Sequence, residues 1–308
     1  MILRPGSLAV VASGILSGTI PVFATMLSRS GVSAVVQVFW RVSLAAPILL
    51  LFAFVVWKRG VNRASKVHAR VATGFIGIGA ILIALLLTYI GSISLGTPVA
   101  TAVLLLYSQP LFTVLLSWLV LGEQITRTKL IALILGISGV LVVLNPLTLE
   151  SGIGVGQALA LCSGLMYAFY IIASKRVAGF KPLSKTALTF GGALLLLVPI
   201  YMITGIVHPS FGISADIYAV NATQTDLLLG LVVVGTILPY LTLNLGLEFM
   251  SASDSGITLL VEPITASALG SLLLGQALGL NQLVGGGLIV ASIVETNRVA
   301  SSGQRSFD

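Results

Sequence analysis

Charged residues are scarce in this chain: Asp, Glu, Lys and Arg make up 8% of 308 residues, against 57% hydrophobic, where soluble domains carry roughly 25%. So little polar material cannot cover a soluble globule of this length, and an integral membrane protein is expected. There is one cysteine, Cys162, which excludes an intramolecular disulfide and a CxxC metal site; set in an apolar stretch, it is expected to be a small packing residue. The two histidines, His68 and His208, fall in segments on opposite sides of the bilayer, and no HExxH is present. No metal and no cofactor are therefore expected. A GxxxxGK[ST] loop is also absent, so drive by ATP bound at such a loop is excluded. The net charge of +7 raises the question of nucleic acid, but the cations sit in short loops beside apolar runs rather than along one face. They read as topology signals that meet anionic lipid, and no nucleic-acid partner is expected.

What the chain has in abundance is long apolar runs. Stretches of roughly 20 residues, enough for a helix to cross ~30 Å of hydrocarbon, recur from Leu8 to about Val299. They predict spans near 7–28, 33–57, 69–90, 97–121, 127–145, 153–175, 184–206, 226–247, 253–275 and 281–299. The runs are continuously apolar rather than alternating, which selects helices over barrel strands. The first run follows Arg4 but is too long for a signal peptide and lacks an A-x-A exit, so it reads as a retained helix. With a cytoplasmic N-terminus, fourteen cations face the cytoplasm: Arg4, Lys58, Arg59, Arg63, Lys66, Arg70, Arg127, Lys129, Lys175, Arg176, Lys181, Lys185, Arg298 and Arg305. Only Arg29 falls on the other side, and Arg41 lies inside a span. This asymmetry places both termini in the cytoplasm. Five spans per half, an odd number, make the halves antiparallel, as in carriers that work by alternating access.

An internal duplication supports that division into a first five-helix repeat, 1–148, and a second, inverted one, 149–308. An offset of 153 superposes Leu106 on Leu259, Pro110 on Pro263, Leu116 on Leu269 and Gly122 on Gly275. Leucine matches are cheap in so apolar a chain, but a paired proline and a paired glycine are not. Ser13-Gly14 matches Ser163-Gly164 at an offset of 150.

The chain resembles the ten-helix EamA-type carriers of the drug/metabolite transporter superfamily. The likeness rests on Gln109-Pro110 through Gly122-Glu123 and its partner Glu262-Pro263 through Gly275-Gln276, on Arg41 after Phe39-Trp40, and on Gly235-Thr-Ile-Leu-Pro-Tyr240 leading to Ser251-Ala-Ser. The second copy departs from the pattern in having Gln276 where the family usually has an acid. Resemblance implies a basket of helices around a central cavity, with the fifth and tenth peripheral, in a bacterial inner membrane. It also implies export of amino acids or related small metabolites, with aromatic amino acid exporters the nearest branch. Those tend to carry an aromatic residue directly before the fourth-helix proline. Gln109 stands there here, so aromatic together with other neutral and polar amino acids are expected. Nucleotide-sugar, phosphate-ester or drug carriers of the same superfamily are the alternative, although anionic ligands would want several buried cations and only Arg41 qualifies.

Candidate site residues follow from the cost of polar groups in hydrocarbon. Glu262 is the only acid deep in a span; a carboxylate there costs about 2.5–3.5 kcal/mol on insertion scales, so it faces a cavity, bonds a neighbouring helix or stays protonated. Its counterpart, Gln109, is expected to approach it near the midplane, each just before a hinge proline, Pro110 or Pro263. Arg41, roughly 12 Å deep by helical rise, either snorkels, pairs with Glu262 or holds a substrate carboxylate. Tyr107, two residues before Gln109, is the aromatic expected at the substrate, with Tyr89, Tyr167 and Tyr240 around the same cavity. Trp40 and Trp118 read as interface or packing residues. A channel would need a polar stripe that no span carries, and an enzyme would have to work with a lone carboxylate. Two fused halves can close a cavity as a monomer, so no further subunit is required.

Overall fold

A computed structural model of the protein describes residues 5–59, 69–95, 97, 99–144, 154–177, 179–204, 214–215, 222–275 and 279–302. Helices account for almost all of it, because a helix alone satisfies each backbone donor and acceptor within one apolar segment. Ten rods follow one another: α1 (Pro5–Ser17) with α2 (Ile20–Arg29); α3 (Ala34–Lys58); α4 (Ala69–Ser94); α5 (Val99–Leu106) with α6 (Gln109–Leu116); α7 (Arg127–Leu144); α8 (Val155–Arg176); α9 (Pro182–Thr204); α10 (Gln224–Val232) with α11 (Leu238–Phe249); α12 (Ala252–Thr258) with α13 (Val261–Leu274); and α14 (Leu280–Ser302). Eight rods are long and apolar enough to cross a membrane among the described residues, and α14 offers a shorter apolar stretch, Leu280–Thr296. A two-residue antiparallel pair, β1 (Ser214–Ala215) with β2 (Ala222–Thr223), precedes α10. His68, His208 and Gln276 lie outside the described residues.

Packing exchanges the two halves. Helix α4 runs along α8, and its counterpart contact is α11 on α1; α3 meets α9, and α7 meets α14 along their lengths. That set is what a two-fold relation between two five-rod repeats produces, each third rod lying against the other half's first. The last pair closes through glycines: a β-carbon on Gly139 would lie 2.7 Å from the Gly285 carbonyl oxygen, an approach only small residues allow.

Repeat-related breaks interrupt the fourth and ninth rods. α5 ends at Leu106 and α6 restarts at Gln109; α12 ends at Thr258 and α13 restarts at Val261. Pro110 and Pro263 supply no amide to the preceding turn, so each sits at the opening of a new half-helix. Both rods also stop alike, at Gly122 (φ 70°) and Gly275 (φ 69°), left-handed positions that glycine occupies without strain. Sequence periodicity predicts continuous helices here; the breaks arise from tertiary room as well as from proline.

That room comes from the other matched pair. A β-carbon on Gly164 would lie 2.8 Å from the Leu106 carbonyl oxygen and 3.1 Å from that of Leu105, while one on Gly14 would press on Val261 and lie 3.4 Å from the Leu259 carbonyl oxygen. Each glycine admits the broken rod of its own repeat partner. Gly164→Ala is therefore expected to cost about 1–3 kcal/mol by overpacking, read as a lower melting temperature in detergent. Gly74→Ala, inside α4 with nothing within 4 Å, serves as the control and should melt no lower, since alanine is favoured over glycine in a helix by about 0.5–1 kcal/mol. Equal melting of both variants would mean that the break tolerates a methyl group.

Cys162 departs from expectation. It is exposed on the outer surface rather than packed between helices, because α8 turns that face away from its neighbours. Trp118 is exposed too, which fits the interface alternative rather than the packing one.

Candidate functional site

Between the two sets of rods lies a chamber lined by Ser13, Ser17, Arg41, Leu85, Leu86, Tyr89, Leu106, Tyr107, Tyr167, Pro239, Tyr240, Leu243 and Glu262, among others. Six of the seven residues singled out as substrate contacts meet there. In this conformation it offers about 60 Å³ of interior space.

Glu262 is 7% exposed and stands in the first turn of α13. It therefore sits at the mid-membrane N-terminus of a half-helix rather than in the middle of a continuous one. The positive end of the helix dipole there favours a carboxylate, worth about 0.3–1 kcal/mol when exposed and more when partly buried. Among the described residues no hydrogen bond ties down the Glu262 carboxylate, nor the hydroxyls of Tyr89, Tyr107 or Tyr167, which share the chamber wall.

Arg41 is buried at 6% exposure, and its anchor is a feature that sequence reading missed. The eighth rod passes through a π-helical turn, Val233–Ile237, ahead of Pro239. Proline lacks the amide that would bond the carbonyl four residues back, leaving the Gly235 oxygen open. Arg41 Nη2 donates to that oxygen at 2.8 Å, and Nε donates to Thr236 Oγ1 at 2.5 Å. The guanidinium thus neither snorkels nor makes a salt bridge with Glu262, although the two charges line the same chamber. Tyr240 is held edge-on between Tyr170 and Phe190, with ring centroids 5.2 and 5.3 Å away.

Gln109 does not line the chamber and the expected meeting with Glu262 across it is corrected. Its Nε2 donates to Thr113 Oγ1 at 2.6 Å, one turn along α6, and the side chain lies against Gly256, whose β-carbon would come within 2.9 Å of that nitrogen. A glycine on α12 opens a slot that the amide fills.

A second cavity, of about 400 Å³, adjoins the first; Ile20, Pro21, Arg41 and Tyr89 line both. It extends to Ser28 and Arg29 at the end of α2, Gln37 near the start of α3, and Ile93 near the end of α4. These rod ends lie on the face opposite Lys58, Arg127 and Arg176. We call the latter the basic face.

At the basic face the chamber is shut by ties between the two halves. The Glu123 carboxylate, just past the Gly122 cap, accepts from the amides of Ala252 and Ser253 at 2.7 and 3.1 Å and from the Ser253 hydroxyl at 2.5 Å. Lys129 Nζ donates to Ser253 Oγ at 2.7 Å and stands 3.7 Å from Glu123 and 3.8 Å from Asp254. Within the second half, Lys175 Nζ donates to the carbonyls of Leu247 and Met250 at 2.5 and 2.7 Å, where α11 ends. Burial pushes the Glu123 carboxyl up, yet the bonds from Ser253 and Ala252, with Lys129 beside them, outweigh that and hold it below the usual carboxylate range. Motif residues on both sides of this tie, Gly122-Glu123 and Ser251-Ala-Ser253, were visible in the sequence; their contact was not. No cluster of His, Cys, Asp and Glu able to hold a metal occurs among the described residues.

The sequence model of the EamA-like transporter family matches twice, at residues 4–145 and 154–298, one match per half. The chain belongs to this family. It is 28% identical over 293 residues to a protein of Archaeoglobus fulgidus named an uncharacterized transporter, covering 95% of this chain and 96% of that protein. A Salmonella typhimurium protein named a probable amino-acid metabolite efflux pump is 28% identical over 205 residues, 66% of this chain and 68% of its own. A solved crystal structure aligns with a TM-score of 0.73 over 96% of this chain and 98% of its own, at 19% identity, a likeness of fold alone. As an EamA-like transporter the chain carries its two matches on either side of the shared chamber.

Proposed function

We propose that the protein is an alternating-access carrier that exports amino acids, aromatic and other neutral or polar ones, or closely related metabolites across a bacterial inner membrane. On this reading the basic face is cytoplasmic, with both termini on it, and a single chain suffices. The observation that carries it is the chamber itself: one fixed cation, one unbonded carboxylate and apolar and phenolic walls, closed on one face and continued by a second cavity toward the other. A zwitterion with an apolar or polar side chain suits such a set, since its carboxylate and ammonium find opposite charges while rings pack on Tyr107 and Tyr167. The efflux-pump name of the Salmonella typhimurium relative points the same way. Phosphate-ester and nucleotide-sugar ligands fit less well, because Arg41 is the one cation lining the chamber among the described residues and two of its nitrogens are already engaged.

Tyr107, Glu262, Arg41, Tyr89, Tyr167 and Tyr240 are the proposed contacts, with Gln109 setting the shape of the wall from behind and Pro110 and Pro263 acting as hinges. Reconstitution in liposomes with a panel of labelled amino acids, with and without a pH gradient, tests the reading. Saturable uptake accelerated by substrate on the opposite side is expected; linear, unaccelerated flux would make it a channel, and no flux of any amino acid would remove the substrate class. In the same assay Tyr107→Ala should weaken large apolar amino acids more than small ones, by about 1–3 kcal/mol of lost ring contact. A variant with unchanged selectivity would take Tyr107 out of the site.

A further inference from the structure

Two cations defy the distribution of the other fourteen. Among the described residues Arg29 is the cation at the face opposite the basic one, where cations are disfavoured, and Arg41 the one embedded in a span, where they cost most. Nothing in the linear sequence connects them, yet both line the same 400 Å³ cavity, Arg29 at its mouth and Arg41 at its floor. No Asp or Glu belongs to that lining among the described residues. Its other polar groups are Thr25, Ser28, Gln37 and the Tyr89 hydroxyl. Sizes sharpen the contrast. About 60 Å³ in the inner chamber holds a few water molecules, whereas about 400 Å³ falls in the range of small-molecule sites.

We propose that this outer cavity is a second binding site, specific for the carboxylate of a small organic anion or zwitterion, with Arg29 and Arg41 as its two cationic poles. Its role as a station on the substrate's path rests on the carrier reading above. A carboxylate leaving the contracted chamber stays beside Arg41, which faces both cavities, and is handed toward Arg29 at the rim. With no acid in the wall, an ammonium group gains nothing there, so the site holds one end of a zwitterion and leaves the other in water. Long-range attraction from Arg29 is screened over about 8–10 Å at physiological salt, which makes the rim contribution sensitive to ionic strength.

The test uses purified full-length protein in detergent and two probes of one shape, 4-fluorobenzoate and 4-fluorobenzamide, followed by fluorine NMR. Neither needs to be transported, so failure to move any amino acid in liposomes would sink the carrier reading and leave this measurement intact. Benzoate is expected to bind more tightly than benzamide, and added salt should weaken benzoate alone. Arg29 is exposed, so its variants should fold. Arg29→Gln should weaken benzoate about three- to tenfold, as for loss of a partly screened charge contact, and leave benzamide unchanged, while Arg29→Lys should retain most of the affinity. Equal binding of the two probes, or benzoate binding indifferent to Arg29→Gln, would overturn the proposal.

Discussion

Removing the Glu123 carboxylate should open the basic face. In a Cys162→Ser background, a cysteine introduced by Ser17→Cys lies in the chamber wall and reports from which side an impermeant thiol reagent enters. Glu123→Ala takes away three hydrogen bonds and one of the two carboxylates beside Lys129 at once, leaving the amides of Ala252 and Ser253 unmatched, a loss of about 1–3 kcal/mol. Labelling from the basic face should rise by about 5- to 100-fold. It should do so in inside-out vesicles, which also tests the proposed orientation; a rise in right-side-out vesicles would put the basic face outdoors. Unchanged labelling from both sides would mean that apolar packing closes the face without Glu123. The pH dependence has a definite sign. Because the carboxyl is held below its usual range, its contribution is complete above that range and fades only as pH falls through the depressed value. The Glu123 contribution to closure should therefore be flat from about pH 5 to 8, and any change of accessibility in that window points to Asp254, the other carboxylate beside Lys129.

Glu262→Gln is expected to impair exchange itself, and not merely accumulation driven by a proton gradient. The carboxylate is unbonded among the described residues, sits at the start of a half-helix and shares its chamber with Arg41. No second acid lines that chamber among the described residues, so a proton relay would have to run through Glu262 alone. A charge-assisted contact to a substrate ammonium is worth about 1.5–3 kcal/mol. Counterflow affinity for a zwitterion should accordingly fall about 10- to 100-fold while membrane expression stays normal. Intact counterflow with lost pH-driven accumulation would make the residue a proton-coupling group, and wild-type behaviour in both assays would leave it a packing residue.

The rods were legible because a bilayer permits so few solutions: an apolar run of span length must be helical. Glu262 and Arg41 were legible as cavity residues for a related reason, since hydrocarbon tolerates neither unless a polar space surrounds it. Gln109 shows where such reasoning ends. An amide can satisfy itself one turn away, at Thr113, and the slot that receives it depends on Gly256, on a rod from the other half. The Arg41 anchor depends on the Gly235 carbonyl, 194 residues further on and freed by Pro239. Proline spacing announces a freed carbonyl but not which side chain will find it. The tie between Glu123 and Ser253 joins motifs 130 residues apart, each readable alone and meaningful only together.

Two halves of identical sequence, related by inversion, would have inward-open and outward-open forms of equal free energy, each the mirror of the other's closure. This chain breaks the degeneracy at one latch. Where the first half has Glu123 and Lys129, the second has Gln276 and Gln282, so the ionic latch described at the basic face has only uncharged residues at the matching positions of its counterpart. Every 1.4 kcal/mol of that difference multiplies the population ratio by about ten. On the alternating-access reading proposed above, a resting protein is thereby biased to stand open away from the basic face, and each cycle toward that face begins by unlatching charge from charge. On that reading the two strokes are unequal for a reason written in four side chains.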